Sequence, residues 1–267
     1  MSGRNPKTPR APRTPLTVNP DDILAYDGVL WRIHRTTGPH VVSWRTLRTY
    51  GPIASMRYDP HPGPAAAATS IGVLYAACDV ATALAEVYQA TRTIDTTIGA
   101  PTLTGWRPAR PLNLLNLTET WLVRHHASYA LLHGPRTVCR TWARTIHLTW
   151  PHLDGLRVSS TMTGRPNVVL WNPAADSFPA DPQFTRPLDH PRVRPILRTA
   201  PPTHGYATSA EHCPGPIGLA WIVVAACGPD RHQPARLSPR RPSPSRPRSA
   251  GCGTTSSRSV CGRQPES

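Results

Sequence analysis

The clearest ordering of apolar and polar positions along the chain lies in residues 71–88. A mainly apolar run at residues 71–75 follows a loop rich in Gly, Pro and Ala, which is typical of a buried strand. Asp79 then precedes a stretch whose apolar residues recur at helical spacing, so its side chain can cap the start of a helix. Glu86 is the one acidic residue of that stretch and stands among alanines. The pattern predicts a core strand, a turn and an amphipathic helix that carries a carboxylate.

The same criteria predict further elements before and after this unit. Apolar runs predict strands at residues 28–34, 102–106, 111–117, 167–171 and 193–197, and residues 155–160 are predicted to form a turn or a short strand. Helices are predicted from Glu119 to Gly134 and from Pro135 to Pro151, because glycine and proline supply stop and start signals there. Residues 51–64 contain four prolines and two glycines, which indicates a loop. We therefore predict one α+β domain over residues 21–200.

Composition separates the two ends of the chain from this domain. The 267 residues include 33 prolines and carry a formal net charge of +15. Residues 1–20 and 201–267 are rich in Pro, Arg, Ser and Gly, so we expect a disordered basic leader and a disordered low-complexity tail. The apolar run at residues 217–227 is too short to span a bilayer. Such tails attract polyanions without reading their sequence, so a basic nucleic-acid-associated protein is one alternative.

Cysteine and histidine spacing predicts no metal site. The six cysteines include no CxxC pair, and the histidines between residues 125 and 152 match no zinc signature. The N-terminal residues contain no apolar segment of the kind found in signal peptides. We expect a reduced, cytoplasmic protein that needs no metal and no membrane.

Four short motifs, taken together and in order, resemble the RES domain family, which is named for an arginine, a glutamate and a serine. They are WRIHR at residues 31–35, MRYDPHP at 56–62, VLYAA at 73–77 with Glu86 after it, and GLRVSSTMTG at 155–164. The resemblance extends over roughly residues 26–197. It implies a fold similar to that of ADP-ribosyltransferase toxins.

The same resemblance implies an activity. Characterised RES proteins are bacterial toxins that cleave the bond between nicotinamide and ribose in NAD, and their usual partner is an Xre-type helix-turn-helix antitoxin. The chain is therefore expected to be an NAD glycohydrolase or phosphorylase of a toxin–antitoxin system. NAD would be its substrate, with no separate cofactor. Water, phosphate and a protein group remain as acceptors, and self-association remains open.

The resemblance makes Glu86, Arg32 and Ser160 the candidate catalytic residues. A carboxylate at position 86 can stabilise the ribosyl cation that develops as nicotinamide leaves. A guanidinium at position 32 binds phosphate oxygens in a fork that lysine does not reproduce. Ser160 is expected to orient the ribose or the amide by its hydroxyl, without acting as a nucleophile.

Four more residues are expected to bind NAD. Arg57 matches the second arginine of the motifs and is assigned to phosphate. Tyr75 can stack on nicotinamide and form a hydrogen bond through its hydroxyl, although an ordinary core tyrosine is an equal alternative. Tyr58 adjoins Arg57, and Ser159 is the neighbouring rival of Ser160.

Two positions depart from the family pattern. Ile33 and Val158 stand where RES proteins often have aromatic residues. Both changes thin the expected aromatic lining of the site. They favour a second alternative, a binding module that retains the pocket and has lost catalysis.

Overall fold

A computed structural model describes residues 7–39, 41–199 and 205–209. The strands are β1 (Ile23–Tyr26), β2 (Leu30–Arg35), β3 (Arg48–Gly51), β4 (Ala67–Ala77), β5 (Thr93–Ile94), β6 (Pro101–Trp106), β7 (Leu112–Asn116), β8 (Gly155–Ser159), β9 (Pro166–Trp171), β10 (Phe184–Pro187) and β11 (Ala207–Thr208). The α-helices are α1 (Val80–Val87), α2 (Trp121–Arg124), α3 (Arg136–Thr149) and α4 (Arg194–Thr199). Three 3-10 helices span Pro20–Asp22, Tyr129–His133 and Asn172–Ser177.

Strand β4 organises a nine-stranded sheet. The order is β1-β7-β8-β9-β4-β2-β6-β10, with β3 also paired to β4. Every pair is antiparallel except β7 with β8, which are joined by the segment that contains α2 and α3. Along one edge of β4, β3 pairs with its first part and β2 pairs with Ala77 at its end. The two partners therefore share that edge, and β9 occupies the other.

The described residues form three apolar clusters, two of which hold helices against this sheet. One contains Trp142 of α3 with Leu156 of β8, and a second contains Leu84 of α1 with Leu103 of β6. The third joins β4 to its neighbours around the fully buried Trp106. Helix α1 is thus fixed by its apolar face, as the sequence pattern predicts.

The predicted α+β class and the central strand–helix unit are confirmed. Asp79 caps α1, and its Oδ1 accepts a hydrogen bond of 2.8 Å from the backbone N–H of Thr82. The edge strand predicted at 193–197 is wrong: the segment enters α4, because Val193 and Leu197 are four residues apart and both pack into the cluster beneath α1. The helix predicted from residue 119 to 134 is broken at His126, whose φ is 59°.

The leader also differs from the prediction, because residues 7–20 pack on the domain. Leu16 is only 7% exposed. The indole N–H of Trp121 donates to the carbonyl of Thr17 at 3.0 Å, and that of Trp142 donates to the carbonyl of Pro9 at 2.9 Å. The backbone carbonyls of a proline-rich extended segment are not used in secondary-structure hydrogen bonds. Here two of them accept hydrogen bonds from the indole N–H groups of buried tryptophans.

The chain also packs beyond the predicted domain end at residue 200. Strand β11 pairs in parallel with β5, and Tyr206 is 7% exposed. The hydroxyl of Tyr206 donates to the carbonyl of Ala85 in α1 at 3.0 Å. The remainder of the predicted tail, including the apolar run at 217–227, lies outside the described residues. Within the described ranges, no helix has the length and apolarity needed to cross a membrane.

Candidate functional site

A pocket lies between α1, the ends of β2, β4, β8 and β9, and the loop that follows β3. It brings together residues that are as much as 137 positions apart in the chain (from residue 31 to residue 168), since residues 31–33, 55–58, 75–77, 83, 86, 87, 89, 136, 158, 159, 161, 167 and 168 line it. Six of the seven predicted site residues are among them: Arg32, Arg57, Tyr58, Tyr75, Glu86 and Ser159. The seventh, Ser160, lies directly behind Glu86.

Glu86 lies on the second turn of α1 and is half-buried. Its Oε1 accepts a 2.6 Å hydrogen bond from the hydroxyl of Ser160 and a 3.2 Å hydrogen bond from the amide of Asn167. No cation of the described chain lies within ion-pair distance of this carboxylate. Neutral donors therefore orient the negative charge without neutralising it.

The hydroxyl of Ser160 is fully used in hydrogen bonds within the protein, one of them to Glu86. Its side chain is 1% exposed, and its hydroxyl accepts hydrogen bonds from the backbone N–H groups of Met162 and Thr163 at 3.1 and 3.2 Å. A hydroxyl has one proton to donate, and this one goes to Glu86. The structure thus gives Ser160 a partner other than the predicted ribose or amide. Ser159 lines the pocket itself and contacts the hydroxyl of Tyr129 at 2.5 Å.

Arg32 is a buried cation, 8% exposed, on strand β2. Its Nη1 donates to the carbonyls of Ser43, Trp44 and Thr46 at 3.4, 2.9 and 3.3 Å. Burial, and secondarily the nearby Arg48, lowers the pKa of Arg32 to about 10, so the group remains charged at neutral pH. Among the described residues, no carboxylate pairs with it.

Arg57 reaches the pocket from the loop after β3. Its Nη1 donates to the carbonyl of Gly134 and approaches Cys139 Sγ at 3.7 Å, which fixes it beside the start of α3. It too has no carboxylate partner in the described part of the chain. Two guanidinium groups therefore enter the pocket with their charge available to an anion.

The two tyrosines present rings to the pocket while the protein uses their hydroxyls. The hydroxyl of Tyr75 donates to Asp59 Oδ1 at 2.9 Å and accepts from the backbone N–H of Tyr58 at 3.0 Å. The hydroxyl of Tyr58 donates to the carbonyl of Leu132 at 3.1 Å. Burial raises the pKa of both phenols well above 10. The predicted hydrogen bond from Tyr75 to nicotinamide therefore has no free hydroxyl to make it, and stacking is left.

Sequence reasoning missed Asp59, which is completely buried and holds the loop that carries Arg57 and Tyr58. Besides Tyr75, it accepts a 2.6 Å hydrogen bond from Arg48 Nη2 and a 2.9 Å hydrogen bond from the backbone N–H of Ile53. Its place inside the MRYDPHP motif was the available signal. It supports the pocket wall from behind.

Asn167 was missed as well, because its segment was predicted only as a strand. Its Nδ2 donates to Glu86, and its Oδ1 is buried without a hydrogen-bond partner. The residue stands near the start of β9, opposite Ala77 and Val158. An amide at the start of an otherwise apolar strand was the signal for it.

No metal centre accompanies these groups in the described ranges. No three His, Cys, Asp or Glu side chains converge there. His125, one of the histidines weighed as a ligand, contacts the carbonyl of Thr17 at 2.9 Å. The chemistry offered by the pocket is thus a carboxylate held by neutral donors, opposite unpaired guanidinium groups and aromatic rings. Such a set suits a substrate that carries an anionic group and develops positive charge.

Comparison with known proteins identifies the family. No curated protein matches the chain. A solved structure that matches is the crystal structure of the M. tuberculosis MbcT–MbcA toxin–antitoxin complex, with 16% identity, a TM-score of 0.44, and coverage of 66% of this chain and 91% of that one. The family model described as "RES domain" matches residues 29–189, more than half of the chain. The protein therefore belongs to the RES domain family.

Proposed function

We propose that this chain cleaves the nicotinamide–ribose bond of NAD and acts as the toxin of a toxin–antitoxin pair. The observation that carries the proposal is the placement of Glu86, oriented by Ser160 and Asn167, in one pocket with Arg32 and Arg57. Membership of the RES family supports the same reaction.

The proposed reaction breaks the bond between C1′ of the ribose and the ring nitrogen of nicotinamide. The bonding electron pair goes to the nitrogen, so nicotinamide leaves as a neutral molecule and positive charge develops on the ribose. Glu86 stabilises that charge, because its own charge has no cation partner in the described chain. An oxygen of water or phosphate then bonds to C1′, and water loses a proton to solvent.

The other residues bind and orient the substrate. Arg32 and Arg57 bind phosphate oxygens through guanidinium N–H groups that the backbone carbonyls do not occupy. The rings of Tyr58 and Tyr75 provide flat apolar surface for the nicotinamide. Ser160 and Asn167 keep the carboxylate directed at the ribose, so their part is positioning.

A binding module without catalysis is the second candidate. Ile33 and Val158 both line the pocket, at 6% and 3% exposure, where related proteins often have aromatic rings. A pocket with fewer rings still offers the arginines and Glu86 to a nucleotide. The two candidates therefore differ in turnover, while binding is common to both.

Incubating the purified protein with NAD and measuring free nicotinamide separates these candidates. Release that depends on Glu86 supports the proposed reaction, and parallel runs with and without phosphate identify the acceptor through ADP-ribose or its 1-phosphate. NAD binding without release would establish the binding module. By the same family resemblance, we propose a cytoplasmic location and an Xre-type helix-turn-helix antitoxin, to be tested by rescue of growth on co-expression.

A further inference from the structure

Arg136 is a pocket residue that none of the RES motifs contains. It is the first residue of α3, is exposed, and lines the pocket, which places it at the opening. Its side chain makes no hydrogen bond or ion pair with any described residue. Arg136 thus presents at the mouth of the candidate substrate site a guanidinium that no described residue pairs with.

Arg57 is anchored to the same place. Its Nη1 donates to the carbonyl of Gly134, two residues before Arg136 in the chain. Two cations are thus brought to one side of the pocket, and no carboxylate of the described chain pairs with either. Two unpaired positive charges on one side of a pocket favour an anionic ligand there, because its negative charge offsets their mutual repulsion.

The pocket has an excess of positive charge and more than one group that can bind phosphate. Its charged lining residues are Arg32, Arg57, Arg136 and Glu86, which gives three positive charges and one negative charge. Net charge alone does not distinguish a diphosphate from a monophosphate ester, because a monophosphate ester also carries close to two negative charges at neutral pH. The number of phosphate groups does distinguish them: a diphosphate offers one phosphate to Arg57 and one to Arg136, whereas a monophosphate leaves one of these guanidinium groups without a phosphate.

We propose that Arg136, together with Arg57, binds a diphosphate group and makes the pocket select diphosphate-containing nucleotides over monophosphates. The inference rests on the proposed function in treating this pocket as the substrate site. It adds a binding residue and a basis for discriminating nucleotides with a diphosphate from nucleotides with a single phosphate.

The test measures calorimetric binding of ADP and AMP, which contain no nicotinamide and are not cleaved. The wild-type protein should bind ADP more tightly than AMP. Arg136→Ala should weaken ADP binding about tenfold and AMP binding less than about twofold, because one bidentate phosphate contact is lost. Arg136→Lys should fall between, since lysine keeps the charge without the fork. Raising the salt from about 0.05 to about 0.5 M should weaken ADP binding more in the wild type than in Arg136→Ala.

Arg194→Ala is the matched control. Arg194 is also exposed and begins a helix, α4, but it does not line the pocket. Its substitution should leave both affinities unchanged. Thermal melting of each variant establishes that the fold is retained, which is expected because both side chains are exposed.

Several results would overturn the proposal: no ADP binding by the wild type, equal affinities for ADP and AMP, or an ADP preference that survives in Arg136→Ala. The proposed function fails by a different measurement, the absence of nicotinamide release from NAD by the wild type. ADP selectivity dependent on Arg136 without nicotinamide release would retain the diphosphate site and discard the reaction.

Discussion

Asp59 and Glu86 are carboxylates in adjacent clusters, connected through Tyr75, whose hydroxyl bonds Asp59 and whose ring lines the pocket of Glu86. Asp59 is completely buried and is paired with Arg48 at 2.6 Å. Glu86 is half-buried, and its hydrogen bonds come from the neutral groups of Ser160 and Asn167. The negative charge of Asp59 is therefore neutralised by an arginine and holds a loop in place. The negative charge of Glu86 is oriented by neutral donors and is available to a ligand.

Asp59→Asn should produce the largest change in stability. The substitution leaves the guanidinium of Arg48, whose side chain is 11% exposed, without its carboxylate, at a cost of about 3 to 5 kcal/mol in the free energy of unfolding. Urea unfolding measures this loss. The control is Asp27→Asn, because Asp27 pairs with Arg107 at 3.6 Å on the surface and should contribute at most about 1 kcal/mol. Equal losses in the two variants would contradict a structural role for Asp59.

Glu86→Gln should have the opposite profile. Removing the charge while keeping the shape should lower the rate of nicotinamide release on the order of a hundredfold, with the melting temperature nearly unchanged. Glu119→Gln, on an exposed glutamate before α2, is the matched control and should cleave at the normal rate. A Glu86→Gln protein that cleaves normally would remove the mechanism. One that unfolds would place Glu86 with Asp59 among the structural carboxylates.

Ser160→Ala should lower cleavage by about tenfold, since one hydrogen bond to an ionised group is lost and Glu86 becomes less well oriented. Ser159→Ala should have a smaller effect, because Ser159 contacts Tyr129 and makes no hydrogen bond to Glu86. Steady-state kinetics on both variants measure the difference. If Ser159→Ala proves the more damaging of the two, the serine of the family motif corresponds to the earlier position.

Mild acid should lower the stability of the protein through His61, whose Nδ1 lies 3.9 Å from Asp59 Oδ2. Burial is the main cause that lowers the pKa of His61 below its usual value, so the folded protein holds it neutral while the unfolded chain takes up a proton near pH 6.5. The free energy of unfolding should therefore fall as the pH drops below about 6.5, by at most about 1.4 kcal/mol per pH unit for each such histidine. His34, whose pKa is lowered to about 4 chiefly by burial, adds to the fall across the same window.

Urea unfolding at several pH values between 7 and 4 tests this expectation. His61→Gln should reduce the slope, whereas His152→Gln, on an exposed histidine, should leave it as in the wild type. An unchanged slope in His61→Gln would assign the acid sensitivity to His34 and to His147, whose pKa is also lowered by burial.

Local pattern was enough to predict the elements that carry the site. The cap at Asp79 and the helical spacing after it placed Glu86 on α1, because both signals depend on neighbouring residues only. The pairing of Glu86 with Ser160 spans 74 residues and depends on how β8 and β9 pack beside α1, so local pattern did not predict it. The family resemblance named both residues but assigned Ser160 to the ribose or the amide. Arg136 had neither kind of signal, and the signal for Asn167 was only its place at the start of an otherwise apolar strand.

The polar network behind the pocket was beyond sequence patterns for the same reason. Asp59 and Tyr75 are 16 residues apart and meet only because the loop after β3 folds back on β4. From the sequence, Tyr75 could equally be a core residue or a ligand contact. In the structure it is both: its hydroxyl donates a hydrogen bond to the buried Asp59, and the residue also lines the pocket. The packing of the leader was not predicted, because composition indicates only how much apolar surface a segment can bury by itself. Residues 7–20 are instead held by hydrogen bonds from tryptophans of the domain.

That leader has a consequence for the order of events during synthesis. Its carbonyl contacts with Trp121 and Trp142 cross 104 and 133 residues of chain. The segment therefore leaves the ribosome well before the indole groups that hold it, which are translated 104 and 133 residues after their carbonyl partners. It can reach its place in the fold only after the segment that contains both tryptophans has been made and has folded.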